Sequence, residues 1–115
     1  MSDSGLPIVA KRLREARERK GLSQKALGIA AGINEDSASP RVNQYERAKH
    51  VPDLLTLTHL AAALAVPVPY FYAEDEQLAE LLLLLHALPR SKWGTVKKYL
   101  ARMMAEDSKK TRGAK

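Results

Sequence analysis

The sequence predicts an all-α protein, with a pair of short helices near the N-terminus and a helical hairpin at the C-terminus. Apolar residues recur at the three- and four-residue spacing of amphipathic helices along most of the 115 residues. Helix-starting and helix-ending residues interrupt that spacing, notably Ser23, Gly32 and Pro89. The leucine-rich stretch before Pro89 and the amphipathic stretch after it predict the hairpin.

The first helix is expected from Pro7 to about Lys20, because Pro is acceptable in a first helical turn. Residues 1–5 are expected to be frayed. Ile8 or Val9, with Leu13 and Ala16, would form the buried stripe. The charged residues of this helix are expected to form a solvated face; they are Lys11, Arg12, Arg14, Glu15, Glu18 and Arg19.

Two short helices at a steep angle are predicted next, which is the layout of a helix-turn-helix. Ser23 can cap the first helix and Gly32 can end it. Gly28 within it is expected at a close contact between helices. The start of the second helix is left open between two caps: Ser39, which would put Pro40 at the first helical position, or Ser37, with Pro40 still in the first turn.

The second of these helices, around residues 38–47, carries the side chains that suit DNA bases. Val42 and Tyr45 would face inward, three residues apart. Asn43 and Gln44 can each bond adenine through two hydrogen bonds, and Arg41 can do so with guanine. The base-contacting candidates are Ser39, Arg41, Asn43 and Gln44, and the phosphate-contacting candidates are Gln24, Lys25, Arg47 and Lys49. An exposed polar helix face without function is the alternative.

These residues resemble the Cro/CI-type (XRE-type) helix-turn-helix family. The resemblance rests on residues 21–24 (Gly-Leu-Ser-Gln), on Leu27, on residues 32–33 (Gly-Ile), on Val42 and on residues 45–47 (Tyr-Glu-Arg). It covers roughly residues 9–72 and implies a five-helix lambda-repressor-like domain whose third helix enters the major groove. It also implies that Gln24 bonds a phosphate, and that Arg17 and Glu46 form a structural ion pair.

Two features depart from that family. Nine residues, from Ile33 to Arg41, separate the turn Gly from Val42, which is more than the family usually has. Ala48 replaces the Gly that often ends the third helix, so this end is expected to close in another way. Glu35 and Asp36 suit the positive end of the third helix but would repel phosphates, and we expect them to be angled away from DNA.

The DNA-binding domain is predicted to span residues 7–73. A fourth helix over Leu54–Ala65, capped at Asp53, and a short fifth helix at Tyr70–Tyr72 would close its core. The aromatic residues of that fifth helix are interpreted as core rather than as a surface for stacking bases.

Residues 74–106 are predicted to form the hairpin, with helices over Asp75–Leu88 and Lys92–Glu106, and residues 107–115 a disordered basic tail. The first of these helices is apolar on two sides, more than one small domain can bury, which indicates a dimerisation element. A membrane-binding amphipathic helix is the alternative for the second. The predicted dimer interface comprises Leu78, Leu81, Leu82, Leu85, Trp93 and Leu100.

Charge and composition agree with a DNA-binding protein. Residues 7–50 hold ten basic and five acidic residues, residues 51–89 no basic and five acidic, and residues 90–115 nine basic and two acidic. The basic blocks suit phosphates. The chain has no Cys, and we expect it to be cytoplasmic and not membrane-bound.

No arrangement of residues indicates catalysis. The three histidines lack ligand spacing, no Ser is flanked as a nucleophile, and no Gly-rich phosphate loop is present. We therefore expect no enzyme activity, no metal, no cofactor and no small-molecule ligand. The expected partners are double-stranded DNA, as an operator with inverted repeats, and a second copy of the chain. A regulator, as a repressor, and a DNA-binding antitoxin with a protein partner are the two functions that the sequence leaves open.

Overall fold

The computed structural model describes residues 6–113, and every regular element between them is a helix. The predicted all-α class is confirmed, while the residues expected to be frayed, 1–5, lie outside the described part. The α-helices are α1 Pro7–Lys20, α2 Gln24–Ala30, α3 Glu35–Glu46, α4 Leu54–Leu64, α5 Glu76–Ala87 and α6 Trp93–Gly113, with 3₁₀ turns at Val68–Tyr72 and Arg90–Lys92.

Local sequence explains where the first helices begin and end. Gly21 ends α1 with a φ of 76°, in the left-handed region that Gly enters at little cost. The Ser23 hydroxyl accepts from the Ala26 N–H at 2.9 Å and starts α2. The Asp53 carboxylate does the same for α4, accepting from the Thr56 N–H at 2.8 Å, and this bond lowers the pKa of Asp53.

The start of α3 differs from both predicted caps. The side-chain oxygen of Asn34 accepts from the Asp36 N–H at 3.0 Å, and α3 begins at Glu35. Neither Ser37 nor Ser39 is the cap, because Asn is an equally good N-cap and lies earlier in the chain. The additional residues therefore lengthen the leading end of α3. Pro40 lies inside this helix, where its ring nitrogen leaves one backbone carbonyl without its usual donor.

The chain divides into two compact units, of which the first ends at Leu83 and the second begins at Leu84. The sequence predicted a domain boundary after residue 73, and the first compact unit extends ten residues beyond that position. Ala79 is 3% exposed in the core of the first unit, and Leu82 and Leu83 pack against that core. The side of α5 that carries these residues thus belongs to the first unit.

The core of the first unit brings α1, α2, α3, α4 and the 3₁₀ turn together. The aromatic residues Tyr70 and Phe71 are buried in it and meet edge to face, with ring centroids 5.9 Å apart. They are core residues, as the sequence predicted. Within the described residues, the apolar side chains with no exposed surface are Leu13, Leu27, Ala38, Val42, Leu57, Leu60 and Phe71.

Arg12 is buried, although the sequence assigned it to the solvated face of α1. Its side chain is only 1% exposed. Its Nε donates to the Ala73 carbonyl at 2.8 Å, and its Nη1 donates to Glu15 at 2.9 Å and to Glu76 at 3.1 Å. Hydrogen bonds from Lys11 and Arg12 lower the pKa of Glu76. Arg12 therefore fixes the start of α5 to α1.

The second unit contains the end of α5, the turn at Arg90–Lys92 and α6. The Trp93 indole N–H donates to the Leu85 carbonyl at 3.2 Å, and Arg90 lies over the Trp93 ring at 4.3 Å from its centroid. α6 continues to Gly113, so the helix does not end at Glu106 as the sequence predicted. Residues 107–112 contain neither Gly nor Pro, the residues that most often stop a helix. Residues 114–115 of the predicted tail lie outside the described part.

Between residues 6 and 113, no helix has both the length and the apolar composition needed to cross a membrane.

Candidate nucleic-acid interface

α3 buries one stripe of residues and presents polar side chains on both flanks. Ala38, Val42 and Tyr45 form the buried stripe. Among the candidates for base contacts, Arg41 and Gln44 are exposed, whereas Ser39 and Asn43 are half-buried. Residues three or four apart share a side of a helix, so Arg41 and Gln44 lie on one flank and Ser39 and Asn43 on the other.

Arg17 and Glu46 meet in a bidentate ion pair that joins α1 to the end of α3. The Arg17 Nε lies 2.6 Å from Glu46 Oε2, and Nη2 lies 3.0 Å from Oε1. Arg17 Nη1 also donates to the Leu22 carbonyl at 2.9 Å. The Glu46 side chain is 4% exposed, and its hydrogen bonds raise the pKa of Arg17. This pair holds the C-terminal end of α3 at a fixed place on the first unit.

Gln24, the first residue of α2, is bonded to two residues of α3. Its Nε2 donates to Glu46 Oε1 at 3.1 Å and to Asn43 Oδ1 at 3.3 Å. The sequence assigned Gln24 to a phosphate and Asn43 to a base, without a contact between them. Here the side-chain amides of both residues belong to one network, anchored on Glu46.

The packing of α2 on α3 depends on Gly28. A Cβ atom at this position would lie 2.6 Å from the Ala38 Cβ and 2.9 Å from the Ala38 Cα, which is closer than such atoms approach in proteins. Ala38 lies in the lengthened leading part of α3. The lengthened α3 can pack this close to α2 only because residue 28 has no side chain.

The candidates for phosphate contacts lie at both ends of the helix pair. Lys25 and Glu35 approach to 3.3 Å, and both side chains are more than half exposed, at 55% and 69%. Glu35 is therefore turned toward α2, while Asp36 is exposed. Arg47 and Lys49 are exposed at the other end of α3.

Ala48 closes the end of α3 in the conformation that a Gly would adopt. Its φ is 58°, and the Lys49 N–H donates to the Gln44 carbonyl at 2.9 Å. The expectation that this end closes in another way is wrong, because an Ala can enter the left-handed region at a cost of about 1–2 kcal/mol.

The six residues of the predicted dimer interface differ in how exposed they are. Leu78, Leu81 and Leu100 are 48%, 60% and 53% exposed. Leu82 packs against the core of the first unit, and Leu85 and Trp93 are half-buried. Other exposed apolar residues in the same part of the chain are Leu84, Leu88, Tyr99, Met103 and Met104.

Two contacts of the site were missed from the sequence, and only one of them has a signal there. Asn34 followed by Glu35 and Asp36 is a recognisable helix start, since a capping residue precedes two acids. The bond between Gln24 and Asn43 has no such signal, because it joins residues of two helices. Among the described residues, no group of His, Asp or Glu side chains is arranged to hold a metal ion.

Comparison with known proteins gives the class of the molecule. Residues 8–69 match the family described as a helix-turn-helix domain. A solved structure titled "Crystal structure of transcriptional regulator BswR" is 40% identical, with a TM-score of 0.77, over 84% of this chain and 96% of that chain. The part of the chain that this structure matches is longer than residues 8–69, so the similarity extends beyond the helix-turn-helix domain. A comparison with curated proteins gave no match.

The chain belongs to the helix-turn-helix family of DNA-binding transcription regulators. The family predicted from the residues around Ser23 and Gly32 is confirmed.

Proposed function

We propose that this protein is a sequence-specific regulator that binds double-stranded DNA as a homodimer and represses transcription. In this proposal α3 enters the major groove and reads bases through Arg41, Asn43, Gln44 and Ser39. The observation that carries the proposal is that α3 is anchored at its end by Arg17 and Glu46 while Arg41 and Gln44 remain exposed. A rigid helix with exposed amide and guanidinium groups suits the major-groove edges of bases.

Charge also supports this orientation. Exposed cations lie near both ends of α3. They are Lys25 at the start of α2, and Arg47 and Lys49 after α3. In the proposal they bind phosphates and position α3, as backbone contacts do in other DNA-binding proteins. Gln24 would make such a contact through its side-chain amide only by giving up a bond within the protein.

The exposed apolar residues of α5 and α6 support a homodimer. One helix-turn-helix contacts only a few base pairs, and two are generally needed for useful specificity. A two-fold dimer would bind an inverted repeat with half-site centres about 10–10.5 base pairs apart, or a multiple of that distance. Binding there would exclude other proteins from the same DNA, which is the basis for proposing repression.

Selection of preferred duplexes from a random pool tests the proposal, and substitutions assign the contacts. Gln44→Ala should weaken binding to the selected site by about 1–3 kcal/mol and relax one base preference. Lys25→Ala should weaken binding to all sequences alike and reduce the salt dependence. Gln77→Ala, at an exposed Gln of α5, is the matched control and should change neither. An unchanged site and affinity in Gln44→Ala would contradict the proposed position of α3.

A further inference from the structure

The Glu46 carboxylate determines which way the Gln24 amide faces. A carboxylate can only accept hydrogen bonds, and both oxygens of Glu46 accept from the Arg17 guanidinium, at 2.6 Å and 3.0 Å. The group of Gln24 that approaches Glu46 at 3.1 Å must therefore be its NH₂ and not its carbonyl oxygen. This fixes an amide orientation that would otherwise be ambiguous.

The orientation of Gln24 fixes that of Asn43 in turn. The same Gln24 nitrogen lies 3.3 Å from an atom of the Asn43 amide, and this atom must be the acceptor, Oδ1. The Asn43 NH₂ is then the end of the amide that is left for other partners. Within the described part of the chain this NH₂ has no hydrogen-bond acceptor, and Asn43 is half-exposed on α3.

We infer that Gln24 and Glu46 are positioning residues for base specificity, and that Asn43 presents hydrogen-bond donors to the DNA. This inference rests on the proposed function. Guanine offers two acceptors, N7 and O6, in the major groove, whereas cytosine offers a donor. Asn43 should therefore favour guanine and reject cytosine. The sequence alone suggested adenine, which needs both a donor and an acceptor from Asn43. Because Oδ1 is turned toward Gln24, the NH₂ is the end of the amide that faces the DNA, and guanine is the purine that offers only acceptors to it.

The test compares the selected DNA sites of the full-length protein and of Gln24→Met. Met is similar in length but cannot donate to Asn43, so the Asn43 amide becomes free to turn over. The wild-type protein should prefer guanine to cytosine by roughly tenfold or more at one base pair of each half-site. In Gln24→Met this preference should fall below about threefold at that base pair alone. Gln77→Met is the matched control.

A second variant replaces the hydrogen-bond donor of Asn43 with an acceptor. Asn43→Asp keeps an oxygen for Gln24 but replaces the outward NH₂ with an acceptor, so the preference at the same base pair should move toward cytosine. Thermal melting of both variants verifies the fold, since neither removes the Arg17–Glu46 pair.

Two results would overturn the inference while the proposed function stands. One is a Gln24→Met protein that keeps its full base preference at every position. The other is a loss of affinity that is equal for all sequences, which would mean that Gln24 acts through a phosphate and not through Asn43. A wild-type protein that enriches no sequence would instead overturn the proposed function, and the inference with it.

Discussion

The first unit buries a core of large apolar side chains, whereas the second unit leaves most of its large apolar side chains exposed. Leu13, Leu57 and Leu60 of the first unit have no exposed surface. Leu100, Met103 and Met104 on α6 are 53–72% exposed. Both units are helical and use similar residues, so composition does not explain the difference. The first unit has enough helices to surround a core, and the second has too few.

This difference assigns different tasks to the two units. The first holds its polar groups in defined bonds, such as those of Arg12 and Arg17, and can keep α3 rigid by itself. The second unit exposes Leu84, Leu88, Tyr99, Leu100, Met103 and Met104, and exposed apolar residues grouped in one region are typical of sites of association. We therefore expect substitutions in the first unit to change stability, and substitutions on the second to change association.

The largest effect is expected for Arg17→Met. Its partner Glu46 is 4% exposed, and removing one member of a buried ion pair leaves an uncompensated charge. The free energy of unfolding should fall by about 3–5 kcal/mol. Replacing Glu46 by Leu in the same chain should recover much of this loss. Purely additive losses in the double-mutant cycle, measured by thermal melting, would show that the pair is not coupled.

The same substitution, Leu→Ala, should act differently in the two units. Leu60→Ala creates a cavity in a buried core and should cost about 2–5 kcal/mol at every protein concentration. Leu100→Ala should cost little in dilute solution, and its effect should appear only at concentrations where copies associate. Urea unfolding at several concentrations separates the two cases. An equal loss for both variants in dilute solution would remove the distinction between the units.

A smaller effect is expected for Gly→Ala, again compared between the units. Gly28→Ala gains up to about 1 kcal/mol of helix propensity, but its Cβ would collide with the Ala38 backbone. Overpacking should exceed that gain and give a net loss of about 1–2 kcal/mol. Gly94→Ala has open space around the new Cβ and should be neutral or slightly stabilising. A stabilising Gly28→Ala in thermal melting would mean that α2 and α3 are not in close contact.

The sequence predicted the helices and the core because these depend on local patterns. Ser23, Gly32 and the spacing of Val42 and Tyr45 place α2 and the C-terminal half of α3 correctly. The start of α3 was predicted too late because three possible caps, Asn34, Ser37 and Ser39, follow each other closely. Local propensity does not choose between them, and the contact of Ala38 with Gly28 belongs to the folded packing.

Contacts between distant residues could not be predicted in this way. Arg12 is one of several charged residues of α1, and nothing in the sequence near it shows that it bonds the Ala73 carbonyl. The sequence also did not show which side of α5 packs on the core of the first unit. Its two apolar sides are evident from the sequence, but only the fold shows that Ala79 and Leu82 face the first core. The bond from Gln24 to Asn43 also required the structure.

The most direct measurement is the mass in solution of the full-length chain and of a chain ending at Leu83, by light scattering at the same micromolar concentration. The shorter chain keeps Ala79 and the Arg12 partner Glu76, and circular dichroism should show that it folds. We predict twice 12.7 kDa for the full-length chain and a monomer for the shorter one. The shorter chain should also bind the selected DNA about 100-fold more weakly. A monomeric full-length chain, or a dimeric shorter one, would contradict the assignment of dimerisation to the second unit.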